Sequence, residues 1–207
     1  ALEQRDPLLA GQVVELDRRI DRLERDIELQ VVAMISQRQP KDEALRHVIA
    51  AMRIAADLER VGDLAKNIAK RALAIAQEPH PKPLMTGLRH IVEMALRQLK
   101  DVLDAYAARD ATRAMSVWHA DRQLDDLYNS LFRELLTYMM EDPRNIGLST
   151  HLLFGAKNIE RVGDHTTNIA ETIHYLVTGK NLTDDRPKGD QTSTTMIKSD
   201  LDREEDS

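Results

Sequence analysis

Apolar residues recur every three or four positions along most of this chain, which is the spacing of one face of an α-helix. Stripes of this kind begin at Val13, at Leu88 and at Leu124. Residues that start or end helices separate the periodic stretches, at positions 6–7, 37–40, 79–83, 108–110, 141–143 and 179. The pattern therefore predicts an all-α protein with five long helices in this chain.

The composition supports this assignment. Of 207 residues, 42% are hydrophobic but only 3% are aromatic, so the apolar material is mainly Ala, Leu, Ile, Val and Met, which favours helices over a β-sandwich. The chain has no cysteine, which excludes disulfides and thiolate chemistry and is typical of a cytoplasmic protein. No apolar run approaches the roughly 20 residues of a membrane span. We therefore expect membrane contact only through a partner.

The charge pattern argues against nucleic-acid binding. The net charge is −6, and the 8 acidic and 5 basic residues from Lys180 onward account for half of it. In the rest of the chain basic residues alternate with acidic ones and form no basic stripe. The polar segment after Gly179 has no periodic apolar face, which predicts a disordered tail over residues 180–207.

The chain contains an internal repeat. Residues 59–69 match residues 160–170 at eight of eleven positions, and residues 17–23 align with residues 121–127 at nearly the same offset. The repeat predicts two three-helix units, residues 1–78 and residues 84–179, each running up, down and up. Because the first unit then lacks most of its opening helix, we expect six helices in the full-length protein and a truncated first helix in this chain.

Each repeat carries two pairs of carboxylates spaced four residues apart. Such like charges lie on one helix face and repel each other unless a cation or a basic side chain lies between them. A hairpin turn near residues 39–40, and its counterpart near residues 140–148, would bring the pairs of neighbouring helices to the same height. The expected result is two clusters of four carboxylates, formed by Asp17, Asp21, Glu59 and Asp63 and by Asp121, Asp125, Glu160 and Asp164.

Carboxylate oxygens are hard anionic ligands, so the clusters are candidate sites for Mg, Mn, Ca, Fe or Zn ions. Asn67 and Asn168 lie one turn further along the same stripes and could add amide oxygens. Because the motifs are displaced from the apolar stripe of their helices by about 100° or more, we expect the clusters on an accessible outer face.

Other interpretations of the same residues remain open. The acids could belong to solvated faces paired with Arg60 and Arg161, in a helical scaffold without metal. Against this, Gly62 and Gly163 lie inside helices, which indicates a close approach to the backbone.

A ferritin-like di-iron enzyme is the rival from another class, because residues 171–174 form a Glu-x-x-His motif, but the second such motif is missing. No catalytic motif is present, so we expect no enzyme activity.

The acidic motifs resemble those of the PhoU family, whose two units each carry an E(D)XXXD motif on two helices. All four pairs fit that pattern, and the resemblance extends over about residues 5–178, including residues 138–143 before the last helix. The resemblance implies two three-helix bundles, multinuclear metal clusters at the motifs and a homodimer. Iron or zinc is then the expected metal, with magnesium, manganese or calcium as alternatives.

The resemblance also implies a function. Proteins of this family look like negative regulators of phosphate uptake and of phosphate-starvation signalling. They link the ATPase subunit of a phosphate ABC transporter to a sensor histidine kinase. These two proteins are therefore the expected partners.

Overall fold

The structure is a computed structural model that describes residues 6–78 and 81–183. Helices account for nearly all of these residues, and no β-strand occurs within the two described ranges. The all-α prediction is confirmed. The helices are α1 (Pro7–Arg38), α2 (Asp42–Ala74), α3 (Lys82–Ala108), α4 (Ala111–Glu141) and α5 (Ile146–Thr178), with a short 3₁₀ turn at Pro143–Asn145 before α5.

The helix ends follow the local sequence. Asp6 caps α1, because its carboxylate accepts hydrogen bonds from the backbone N–H groups of Leu8 at 2.9 Å and Leu9 at 3.1 Å. Asp110 caps α4 in the same way. Helix α5 ends at Gly179, whose φ of 71° lies in the left-handed region that glycine adopts at little cost.

The topology consists of a hairpin and a bundle that share one interface. Helices α1 and α2 form an antiparallel hairpin, whereas α3, α4 and α5 pack on one another as three helices. Helix α2 also packs along α5, and the two run antiparallel, since Arg46 lies beside Gly179 while Arg71 stacks 4.5 Å from the centroid of the Phe154 ring. Helix α5 is therefore surrounded by α2, α3 and α4.

The core is aliphatic and includes α2. One apolar cluster includes Ile91, Leu124 and Leu135. A second cluster combines Ile54 of α2 with residues of α3, α4 and α5, such as Val102 of α3. Helix α1 makes its main contacts with α2 and leaves much of its apolar surface exposed. Within the described ranges, no helix is both long enough and apolar enough to cross a membrane.

Three predictions concern the C-terminal tail, the linker and the division of the chain into two three-helix units. The predicted disordered tail falls largely on residues 184–207, which lie outside the described residues, as do residues 79–80 of the predicted linker. The predicted division between residues 78 and 84 coincides with the break between α2 and α3. The assignment of two separate domains stays a prediction.

Candidate metal centre

The first carboxylate cluster lies along the contact between α1 and α2. The chain reverses at residues 39–41, so Asp17 and Asp21 of α1 face Glu59 and Asp63 of α2. A methyl group at Gly62 would lie 3.5 Å from Asp17 Oδ1, which confirms the predicted level pairing of the two helices. The missing side chain at this glycine thus allows the close approach that its position inside a helix indicated.

A lysine connects the two helices within this cluster. Lys66 Nζ lies 2.5 Å from Asp17 Oδ2 and 2.5 Å from Asp63 Oδ1. Its hydrogen bonds to Asp17 and then to Asp63 raise the pKa of Lys66 above its usual value, so the ammonium form is favoured. The guanidinium of Arg60 is further away, at 3.5 Å from Glu59 and 3.6 Å from Asp63.

The other carboxyl groups of the first cluster interact electrostatically with one another. Burial raises the pKa of Glu59, Arg60 opposes this effect, and the neighbouring charges of Asp63 and Asp21 add to it. Asp17 is only 4% exposed, and its Oδ1 has no hydrogen-bond partner within residues 6–78 and 81–183. A buried carboxylate oxygen without a partner is costly, so this atom marks a place where a ligand would stabilise the fold.

The second cluster lies along the contact between α4 and α5. A methyl group at Gly163 would lie 3.0 Å from Asp121 Oδ1 and would overlap the buried side chain of Leu124. Asp121 and Asp125 therefore lie at the same height as Glu160 and Asp164, as predicted. The pairing is tighter here than in the first cluster, because Leu124 fills the space over the glycine that Ile20 fills more loosely over Gly62.

Glu160 is the most perturbed acid of the second cluster. The pKa of Glu160 is raised to about 7, mainly by burial and also by the charges of Asp164 and Asp125, against the opposing effect of Lys157. Lys157 Nζ lies 2.9 Å from Glu160 Oε2 and forms an ion pair with it. Negative charge is therefore concentrated in a site that is largely closed to solvent.

The expectation of an accessible outer face is wrong for half of the acids. Asp17, Asp121, Asp125 and Glu160 are each at most 5% exposed. The expectation was based only on the angle between each motif and the apolar stripe of its own helix. The four acids instead lie in the seams between neighbouring helices, where the partner helix covers them.

The two asparagines differ in their surroundings. Asn67 is exposed on α2. Asn168 faces α2 instead, where its Nδ2 donates a hydrogen bond to Asp57 Oδ1 at 3.3 Å. Glu171 of the Glu-x-x-His motif accepts a hydrogen bond from Trp118 Nε1 at 2.9 Å. Its carboxylate thus has a hydrogen-bond partner inside the protein.

The donor chemistry of both clusters suits a hard cation, whereas the present side-chain positions do not form a coordination shell. In the described part of the chain, no three carboxylates or imidazoles converge closely enough to hold a metal ion. Metal binding would therefore require carboxylates to rotate toward a shared point. Four carboxylates on two helices per seam supply the oxygen ligands that such ions prefer.

Two residues of interest were not predicted as part of a site. His165 Nδ1 lies 2.9 Å from Asp57 Oδ1, which joins α5 to α2 beside an open groove of about 720 Å³. Lys66 connects the acids of the first cluster. Both residues fall among the three positions at which the repeated segments differ, residues 64–66 against 165–167. The differences between the two repeats at these positions were the sequence signal that could have identified Lys66 and His165.

Comparison with known proteins gives a family match in two stretches, one in each of the two repeats. The chain matches the PhoU domain over residues 1–72 and 88–173. It is 55% identical over 194 residues to the phosphate-specific transport system accessory protein PhoU homolog of Rhizobium meliloti, covering 94% of this chain and 82% of that relative.

The chain is also similar to solved structures, including those of two PhoU proteins. One is PhoU from Pseudomonas aeruginosa, with 39% identity, a TM-score of 0.83 and coverage of 86% of each chain. The other is the phosphate transport system regulatory protein PhoU from Streptococcus pneumoniae, with 30% identity, a TM-score of 0.81 and coverage of 88% of this chain and 85% of that one.

Proposed function

The chain belongs to the PhoU family, and we propose that this accessory protein of phosphate-specific transport is a negative regulator of phosphate uptake and of phosphate-starvation signalling. The names of its relatives, which describe accessory or regulatory proteins, support a role in control rather than in catalysis. Its proposed partners are the ATPase subunit of the phosphate ABC transporter and the sensor histidine kinase. Both present cytoplasmic domains, so we place the protein in the cytoplasm, as a homodimer.

We further propose that the carboxylate clusters bind divalent or trivalent metal ions, with iron or zinc first among the candidates. The observation that carries this proposal is that both helix seams place carboxylates of two helices at one height, beside a glycine that lets the helices approach. Several of the acids are buried, which is costly without a counter-charge. The proposed ligands are Asp17, Asp21, Glu59, Asp63, Asp121, Asp125, Glu160 and Asp164.

The regulatory proposal is tested in cells that are replete with phosphate. Deleting the gene should raise expression of phosphate-starvation genes, and the purified protein should bind the transporter ATPase and the kinase. Normal repression in the deletion strain, together with no binding to either partner, would defeat the proposal. Light scattering on the purified protein tests the homodimer.

The metal proposal is tested by elemental analysis of protein purified without chelator or affinity tag. Glu59→Gln with Asp63→Asn should lower the metal content of the first cluster, because the amides keep the shape but lose the charge. The matched control is Asp126→Asn with Glu134→Gln, which removes two charges from the exposed face of α4. Equal metal content in wild type, cluster variant and control would refute metal binding at this cluster.

A further inference from the structure

We propose that Lys66 is a resident cation of the first carboxylate cluster, which a metal ion must displace in order to bind there. The inference rests on the proposed metal binding and concerns its control. Lys66 would set the affinity of the first cluster without being a ligand itself.

The position of the ammonium carries this inference. Lys66 Nζ lies 2.5 Å from an oxygen of Asp17 on α1 and 2.5 Å from an oxygen of Asp63 on α2. A cation that bridges carboxylates of two helices takes the place that a bridging metal ion would take. Two positive charges cannot share that place, because their repulsion at such a short distance in a partly buried site is strong. Binding of the ammonium and binding of a metal to these two oxygens are therefore mutually exclusive.

The burial of the contact shows that the lysine is more than a surface counter-charge. The side chains of Lys66 and Asp17 are 22% and 4% exposed, whereas the exposed pair Arg18 and Glu15 on the same hairpin is 71% and 66% exposed. Exposed pairs contribute little, but a buried carboxylate needs its partner. Lys66 thus stabilises the metal-free hairpin.

One oxygen of the buried carboxylate is left over. Asp17 Oδ2 is held by Lys66, but Asp17 Oδ1 has no hydrogen-bond partner in the described portion of the protein and points toward Gly62. The lysine therefore satisfies half of this carboxylate. A multivalent ion that replaced the ammonium could draw on both oxygens, which gives displacement a driving force.

The repeat supplies a natural replacement at this position. Thr167 stands where Lys66 stands in the first repeat, and its hydroxyl donates a hydrogen bond to the backbone carbonyl of Asp164 at 2.8 Å. A threonine at this position is thus compatible with a helix of the same motif. Lys66→Thr is therefore a conservative test, and Lys66→Arg keeps the positive charge.

The experiment measures Zn²⁺ binding by competition with a chromophoric chelator, and metal content by mass spectrometry. All variants carry Glu160→Gln and Asp164→Asn, which silence the second cluster. Lys66→Thr should bind Zn²⁺ about tenfold to a hundredfold more tightly, as expected when an ion no longer breaks charge-assisted hydrogen bonds. Lys66→Arg should stay close to the parent affinity. The control is Lys70→Thr, an exposed lysine one turn further along α2.

A melting curve separates the two proposals. The metal-free Lys66→Thr variant should melt roughly 5 °C or more below its parent, because Asp17 loses its cation, and Zn²⁺ should restore the difference. Unchanged or weaker Zn²⁺ binding by Lys66→Thr, in a parent that does bind Zn²⁺ at this cluster, would overturn the role of Lys66 alone. If no variant binds Zn²⁺, and Zn²⁺ does not raise the melting temperature of Lys66→Thr, the proposed metal function is defeated instead.

Discussion

Replacing Glu160 by glutamine should stabilise the metal-free protein at alkaline pH but not at acidic pH. Burial raises the pKa of this carboxyl from 4.5 to about 7, because the folded protein disfavours the charged form. Well below pH 4.5 the group is protonated in the folded and the unfolded states, so it costs nothing. As the pH rises toward 7, the unfolded chain ionises first, and wild type loses stability relative to the neutral glutamine variant. The loss is complete above pH 7.

The magnitude follows from the size of the shift. At 1.36 kcal/mol per pKa unit, the full difference is about 3 kcal/mol. The variant also loses the contact between Lys157 and Glu160, which are separated by 2.9 Å. Because the side chain of Lys157 is 36% exposed, that contact is worth about 1 kcal/mol or less. The pKa of about 7 already includes the opposing effect of this ion pair. Burial therefore outweighs it, and the net gain at pH 8.5 stays at about 3 kcal/mol.

Urea unfolding of metal-free protein, followed by circular dichroism at pH 5 and pH 8.5, measures this difference. The expected result is a higher transition midpoint for Glu160→Gln at pH 8.5, an unchanged dependence on urea, and a much smaller difference, about 1 kcal/mol or less, at pH 5. Glu134→Gln, an exposed change on α4, should shift the midpoint at neither pH. A glutamine variant that is less stable than wild type at pH 8.5 would refute the reasoning, since the ion pair with Lys157 would then dominate.

Two further predictions concern packing. Gly163→Ala should destabilise the protein by about 1–2 kcal/mol in urea unfolding, since the added methyl overlaps the fully buried side chain of Leu124. Gly62→Ala should be nearly neutral, because the side chain of Ile20 can move aside. Equal losses of stability in the two variants would contradict the tighter packing of the second seam. Truncation after Lys180 removes Leu182, which packs against the second apolar cluster, and should lower the melting temperature by about 2–4 °C relative to truncation after Thr183. Identical melting curves would show that this leucine contributes no stability.

The helices and the height of the acidic motifs could be predicted from the sequence. Helix boundaries depend on nearby residues, as at Asp6 and Gly179, whose effects on the backbone act within one turn. The rise of a helix is fixed at 1.5 Å per residue, so counting from a turn is enough to place Asp17 beside Gly62. The glycine inside each motif indicated a close approach to the backbone, and the side chains of Ile20 at Gly62 and of Leu124 at Gly163 confirm it.

The burial of the acids and the place of Lys66 were decided by the tertiary structure. Whether Asp121 is covered depends on how α4 rotates against α5, and that rotation is set by the buried side chains of both helices together. The bridge from Lys66 to Asp17 spans 49 positions in the chain, and the contact of His165 with Asp57 spans 108. Spacing along one helix gives the height of a side chain, but its exposure and its partner depend on atoms that only folding brings near.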